Sequence, residues 1–238
     1  MANPHSQSMI LFAGNTDVTE QKKNQPMFQP YPSDQTFYGY FNDFMTYNSG
    51  DWTVTTTEAG TGSASEAVTS SAGGAILLTN AAGDNDLDFL QLKGEAFRLS
   101  ASKKAYFSAR FKVSDATQSD FVMGVHITDT TPLDVTDGIF FISADGAATL
   151  DFQVEKDNTA TTTSSVATMA NDTFITTSWF IDPDRDALYY SINNGTPLKS
   201  VATNLPNDED LTISFGIQNG EAVAKTMTID YITMMVER

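Results

Sequence analysis

The 238-residue chain contains no cysteine. Disulfides, thiolate-bound zinc and cysteine nucleophiles are therefore excluded. Its two histidines, His5 and His126, are too few and too far apart for a histidine-rich zinc site. Basic side chains are scarce: 13 Lys and Arg stand against 30 Asp and Glu, a formal net charge of −17. A field of that sign repels phosphate, so neither nucleic acid nor an anionic membrane is an expected partner. Long apolar runs are missing too. "AILL", "GIFFI" and "ITMMV" fall far short of the ~18 residues a spanning helix needs. The opening "MANPHSQSMILFAGNTD" has no cationic region, and "MILFAG" is too short for a cleaved secretion signal. The expectation is a soluble protein made in a cytosol. No stretch of a dozen residues sets apolar side chains on a helical stripe, and no glycine-rich phosphate loop is present.

What the chain does have is alternation. "FSARFKV" puts Phe107, Ala109, Phe111 and Val113 on one face. "FVMGVHIT", "LDFQVE" and "LTISFGIQ" behave alike, with Phe121, Phe152 and Phe215 on their apolar faces. Period two with threonine, valine and aromatics describes strands with one buried face. Asn194-Gly195, Asn219-Gly220, Asp145-Gly146 and Gly73-Gly74 supply the positive φ values of tight turns between them. About 12–14 short strands at regular spacing predict an all-β fold, an antiparallel two-sheet sandwich, over residues 41–238 as one domain. A chain of this length can bury roughly 70–75% of its unfolded surface, so the core needs no staples.

Residues 1–40 read differently, rich in Asn, Gln, Pro and Ser, with "QPMFQPYPSD" blocking regular structure. Yet Met27, Phe28, Tyr31, Phe37, Tyr38 and Tyr40 are a heavy apolar load for a tail. Either the last aromatics plug the sandwich, or the segment is an extended arm that lies on a partner subunit. The second reading predicts that these six side chains form a partner-binding surface.

Chemistry is hard to find. "IDPDRDALYYSIN" opens like a calcium loop with Asp182, Asp184 and Asp186. The sixth position is Ala187 and the twelfth is Asn193, so the pattern fails twice. Pro183 and the aspartates fit a turn between strands, and the three carboxylates are left as candidate calcium ligands only. "GDNDLDF" (Asp84, Asp86, Asp88) reads the same way. Sandwich glycosidases carry carboxylates at alternate positions of one strand; Asp86 and Asp88 imitate the spacing but sit at an expected turn. A nucleophilic triad needs a positioned base. His126 falls on the polar face of a strand and is expected to be exposed. Trp52 and Trp179 are the candidate sugar-stacking platforms, with core positions the commoner fate of such residues. No catalytic constellation and no cofactor is expected.

The order of segments "FNDFMTYN", "DWTVTTTEAG", "ARFKVSDATQSDFVMGVHITDTTPLDVTDGIFF", "NNGTPL" and "GIQNGEAVAKTMTIDYITMMVER" resembles the concanavalin A-like, laminin G-like jelly rolls. Within that group it is most similar to structural proteins of tailed-bacteriophage virions. The resemblance spans about residues 41–238 and rests on a strand pattern rather than a catalytic signature. It implies a jelly-roll sandwich and a non-enzymatic capsid decoration or cement protein, assembled in the host cytoplasm and carried on the virion's capsid surface. Its partners would be the major capsid protein and neighbouring copies, as a homotrimer clamped by the N-terminal arm. The alternative it implies is a carbohydrate-binding module of a phage fibre that meets a surface glycan during host attachment. The group's lyases and glycosidases carry catalytic strand motifs that this chain lacks.

Overall fold

A computed structural model describes residues 36–201 and 203–238. These form fifteen strands in chain order and no α-helix. The first five are β1 (Phe37–Asn42), β2 (Trp52–Thr57), β3 (Ser65–Val68), β4 (Ile76–Thr79) and β5 (Leu87–Leu92). Then come β6 (Ala105–Val113), β7 (Ser119–His126), β8 (Gly138–Ser143), β9 (Thr149–Lys156) and β10 (Thr159–Thr168). The last are β11 (Ile175–Asp182), β12 (Ala187–Ile192), β13 (Leu198–Ser200), β14 (Thr212–Asn219) and β15 (Thr226–Glu237).

One sheet of eight strands runs β13-β12-β11-β6-β15-β4-β3, with β1 also paired to β15. Long β15 serves two neighbours along one edge: Thr226–Ile229 face β4, and Ile232–Glu237 face β1. The other sheet has seven strands in the order β10-β9-β8-β7-β14-β5-β2. All pairings are antiparallel, and the two sheets close face to face as a sandwich of the concanavalin A-like type. The alternating apolar positions meet between them. Phe111 of β6 stands edge-on to Phe121 of β7 at 5.6 Å, and Trp52 of β2 meets Phe215 of β14 at 5.2 Å. Aromatic pairs in this geometry add roughly 0.5–1.5 kcal/mol beyond the area they bury.

The turns follow their chemistry, though not always at the expected residues. Gly146, Gly73 and Gly74 take positive φ. Between β12 and β13 the left-handed residues are Asn193 and Asn194, one step earlier than the Asn194-Gly195 pair, and the Gly195 amide closes the turn on Ile192. Asn219-Gly220 makes no tight hairpin; the Asn219 side-chain Nδ2 instead donates to the carbonyls of Ala81 and Gly83, both at 2.8 Å. The tightest hairpin is Asp157-Asn158, both at positive φ, with Lys156 opposite Thr159 across β9 and β10.

The seven-stranded sheet departs from one-face burial. β5, β7, β8 and β14 are buried on both sides, because the loop 127–137 folds over their outer face. Leu87, Phe89, Val122, Val135 and Phe140 make a second apolar cluster there, with Ile127 and Leu133 packed on it. Its floor is two glycines. A Cβ on Gly216 would lie 2.3 Å from the Phe89 ring, and one on Gly124 would lie 2.5 Å from Phe140. Gly216→Ala is therefore expected to destabilise the protein by about 1–3 kcal/mol, the usual cost of overpacking a filled core, measured by urea denaturation. A neutral result would mean that the ring of Phe89 can move aside.

Candidate functional site

His126 ends β7 with its side chain on the outer face, where alternation placed it, yet it is 0% exposed. The expected exposed histidine is thus a buried one, because the loop 127–137 covers its sheet face. Its ring lies 5.8 Å from Phe89 and 6.1 Å from Phe140. Nδ1 stands 2.6 Å from the Ile127 carbonyl, which can only accept, so Nδ1 carries the proton and Nε2 is a buried lone pair with no partner. Burial drives the imidazole's pKa down to about 4, so it is neutral at pH 7. Gln91 fastens the same loop: its Nε2 donates to the Ile127 carbonyl at 3.2 Å, and its Oε1 accepts from the Asp129 amide at 3.4 Å. This face is sealed rather than open to a ligand.

The carboxylate triplets are engaged in turns and caps. Asp182 is buried; it accepts from the Asp184 amide at 3.1 Å and from Arg185 at 2.8 Å, capping the short 3₁₀ turn Pro183–Arg185. Asp184 points away to Lys104 at 3.0 Å, and Asp186 is the left-handed residue that ends the turn. Of the second triplet, Asp86 accepts the backbone N–H groups of Ala59, Gly60 and Gly83, which hold its carboxyl below the usual range and tie the loop after β2 to the turn before β5. Asp86 ends a turn, but Asp88 does not: it lies within β5, two residues further. No group of three or more metal-ligating side chains occurs among the described residues.

Neither tryptophan is a platform. Trp52 and Trp179 are both buried; Trp179 stacks on Phe107 at 5.9 Å. Met27, Phe28 and Tyr31 lie outside the described residues. The other three side chains assigned to the arm, Phe37, Tyr38 and Tyr40, belong to β1, paired with the C-terminal strand. Phe37 is buried, Tyr38 stacks on Phe97 at 6.1 Å, and Tyr40 stands edge-on to Trp52 at 6.3 Å. The boundary drawn at residue 40 thus falls inside a strand, and the rings of Tyr38 and Tyr40 contact their own sandwich. The physical reason is the apolar edge of β15, which needs a partner strand beyond β4.

The open concavity lies at the rim, beside the β3–β4 hairpin. It holds about 410 Å³ and is lined by Met45, Val68, Thr69, Ser70, Ser71, Gly73 and Gly74. Volumes of about 300–1,000 Å³ are usual for small-ligand sites. Gly74 makes the groove possible, since a Cβ there would strike the backbone of residues 43–45 at 2.5–2.7 Å. Its walls mix hydroxyls with apolar surface: Met45 is 66% exposed and Val68 45%. Along β3, Glu66 shares a face with Val68, opposite Leu78 and Ile76 of β4. The Tyr47 hydroxyl donates to Glu66 at 3.4 Å. Asp88 of the facing sheet is 0% exposed, with no hydrogen-bond partner on either carboxyl oxygen. Burial first, and then the charge of Glu66, raises its pKa. Tyr47, Glu66 and Asp88 come from segments about twenty residues apart, and no spacing motif brings them together. The only sequence signal was the glycine pair, which reads as a turn.

No family model matches the chain, and no curated protein matches it in sequence. Solved structures do match its fold. A protein of unknown function from Shewanella oneidensis MR-1, SO2946, is 17% identical with a TM-score of 0.60, covering 93% of this chain and 94% of that one. The Emp47p carbohydrate recognition domain is 14% identical at 0.58, over 87% of this chain and 99% of that one. The endo-1,3-β-glucanase of Streptomyces sioyaensis is 12% identical at 0.57, over 88% and 99%. At these identities the likeness establishes the sandwich fold, which lectins and glucanases share.

Proposed function

We propose that the protein is a non-enzymatic, lectin-like carbohydrate-binding module that engages a glycan at the rim groove. The observation that carries this reading is the groove itself. It offers the hydroxyls of Ser70, Ser71 and Thr69 beside the apolar Met45 and Val68, the mixed lining that a sugar's polar edges and C–H faces require. The fold supports it, since a carbohydrate recognition domain is among its structural relatives. A glycosidase reading has less support. Asp86 is spent on three backbone amides and Asp88 points between the sheets, so these two carboxyls do not flank one open cleft.

A second reading concerns where such a module works. The strand order resembles virion proteins of tailed phages, and an acidic chain with a net charge of −17 suits a soluble outer coat. On that reading the module stands on a capsid surface with the major capsid protein and further copies as partners. Stoichiometric co-purification with particles tests it.

For the groove, the test is a glycan array followed by calorimetry on the best ligand. Ser70→Ala combined with Ser71→Ala is expected to weaken binding about 5- to 160-fold, from two lost hydrogen bonds of about 0.5–1.5 kcal/mol each. The melting temperature should barely move, because exposed substitutions usually stay within about 0.5 kcal/mol. Unchanged affinity in the double variant would remove the groove as the site.

A further inference from the structure

We propose that the outer face of the eight-stranded sheet is a docking surface for residues 26–35 of the same chain, the segment that leads into β1. The face is built in register. Gly39 of β1 lies opposite Met235 of β15, and Met235 opposite Tyr106 of β6. Tyr106 lies opposite Phe180 of β11, and Phe180 opposite Tyr189 of β12. Partners across antiparallel strands share a face. These positions alternate with Met234, Phe107, Trp179 and Tyr190, all of which belong to the main core. Met235, Tyr106, Phe180 and Tyr189 therefore form an apolar row on the side away from the core, and Phe37 joins it on β1.

Burial on this face carries the proposal. Phe37 is 5% exposed and Phe180 6%, yet neither belongs to an apolar core cluster. Every described strand lies in one of the two sheets, so none runs over this face. Charged groups stand only past the strand ends: Lys104 pairs with Asp184 at 3.0 Å, and Arg110 lies over the Phe174 ring at 4.1 Å. The outer face of an antiparallel sheet is ordinarily polar and wetted. Rings this well shielded on such a face call for a cover.

Residues 26–35 fit as that cover. They read "QPMFQPYPSD", with Met27, Phe28 and Tyr31 to bury, a single charge at Asp34, and three prolines that favour extended backbone. Aromatic surfaces recognise extended proline-rich segments, because such segments lose little entropy on docking. The Thr36 carbonyl accepts the Arg238 amide, which fixes the start of the segment at the β1 end of the row. Four strand spacings of ~4.8 Å carry the row about 19 Å from β1 to β12. At ~3.1 Å per residue, Tyr31 reaches about 16 Å from Thr36 and Phe28 about 25 Å, enough to cross it. A separate partner competes poorly, since a short tether holds the segment at about millimolar effective concentration. Met27, Phe28 and Tyr31 then serve their own sandwich instead of a partner subunit, whatever the rim groove binds.

The test is site-specific photo-cross-linking in the full chain. Phe28→p-benzoylphenylalanine and Tyr31→p-benzoylphenylalanine each keep a large aromatic side chain and leave the sandwich unaltered. Irradiation is expected to join position 28 to peptides from residues 175–191, and position 31 to peptides from residues 104–112 or 231–237. At about 10 µM protein, product within one chain should exceed product between chains about a hundredfold, the ratio of a ~mM effective concentration to the protein's own. Links mainly between chains would overturn the proposal by giving the segment to a neighbouring copy. Links to other parts of the sandwich, or none from either position, would overturn it by leaving the face to another cover.

Discussion

A chain that begins at Asp43, lacking β1, is expected to melt far below one that begins at Thr36, or to show no cooperative transition. β1 pairs with β15 over six positions, Phe37 with Glu237 through Asn42 with Ile232. Burying Phe37 is worth about 1.5–3 kcal/mol. The stack of Tyr38 on Phe97 and the edge contact of Tyr40 with Trp52 add about 0.5–1.5 kcal/mol each. The sum, roughly 3–6 kcal/mol, is a large part of the ~5–15 kcal/mol that holds an ordinary domain together. The loss also bares the edge of β15, with its carbonyls and amides unpaired, as a template for association. Calorimetry of the two chains side by side decides it. Equal melting temperatures would mean that β1 is an appendage rather than part of the sheet. Phe37→Ala gives the same answer with less disruption and should cost about 3 kcal/mol or more.

The acid limb of stability is expected to run through His126. Its folded pKa, about 4, lies below the value of 6.5 it has when exposed. The unfolded chain therefore takes the proton first. Stability from the neutral ring is complete above about pH 6.5 and is lost as pH falls toward 4, by about 3 kcal/mol over the whole range. The molecular cost is plain: a proton on Nε2 would put an N–H with no acceptor among Phe89 and Phe140. Asp88, raised to about 8, contributes a slope of opposite sign in the window between pH 6.5 and 5, so the difference between the natural protein and a His126 variant, rather than either slope alone, isolates the histidine. Denaturant melts of the natural protein and His126→Leu should diverge there, the variant losing little as pH falls. Parallel slopes would show that the ring is not the titrating group.

Much of the sandwich was legible because alternation is a direct image of the pleat. The faces predicted for "FSARFKV", "LDFQVE" and "LTISFGIQ" are the buried and outer faces observed, in Phe107, Phe152, Phe215 and their partners. The rule failed where a loop, not a sheet, supplied the cover. "DFLQL" and "GIFFI" do not alternate because Phe89 and Phe140 are needed on the second face, and His126 looked exposed for the same reason. Turn chemistry was read from Asn-Gly, Asp-Gly and Gly-Gly pairs, which held at Gly73, Gly74 and Gly146 but missed Asp157-Asn158 and shifted one hairpin by a residue. The rim site stayed hidden for a topological reason. Tyr47, Glu66 and Asp88 meet only because β3 ends one sheet while β5 lies near the edge of the other. Asp88 looked like a turn residue because its neighbours Asp84 and Asp86 are.

The most direct measurement is electrophoresis of the natural protein in native gels cast with a panel of polysaccharides, with the chain length of each polysaccharide analysed afterwards. A binding module without catalysis predicts retardation in at least one gel, relieved in the Ser70→Ala, Ser71→Ala variant, with polysaccharide length unchanged. Shortened polysaccharide would contradict the account by showing an enzyme, and unretarded migration across the panel would contradict it by showing no glycan partner.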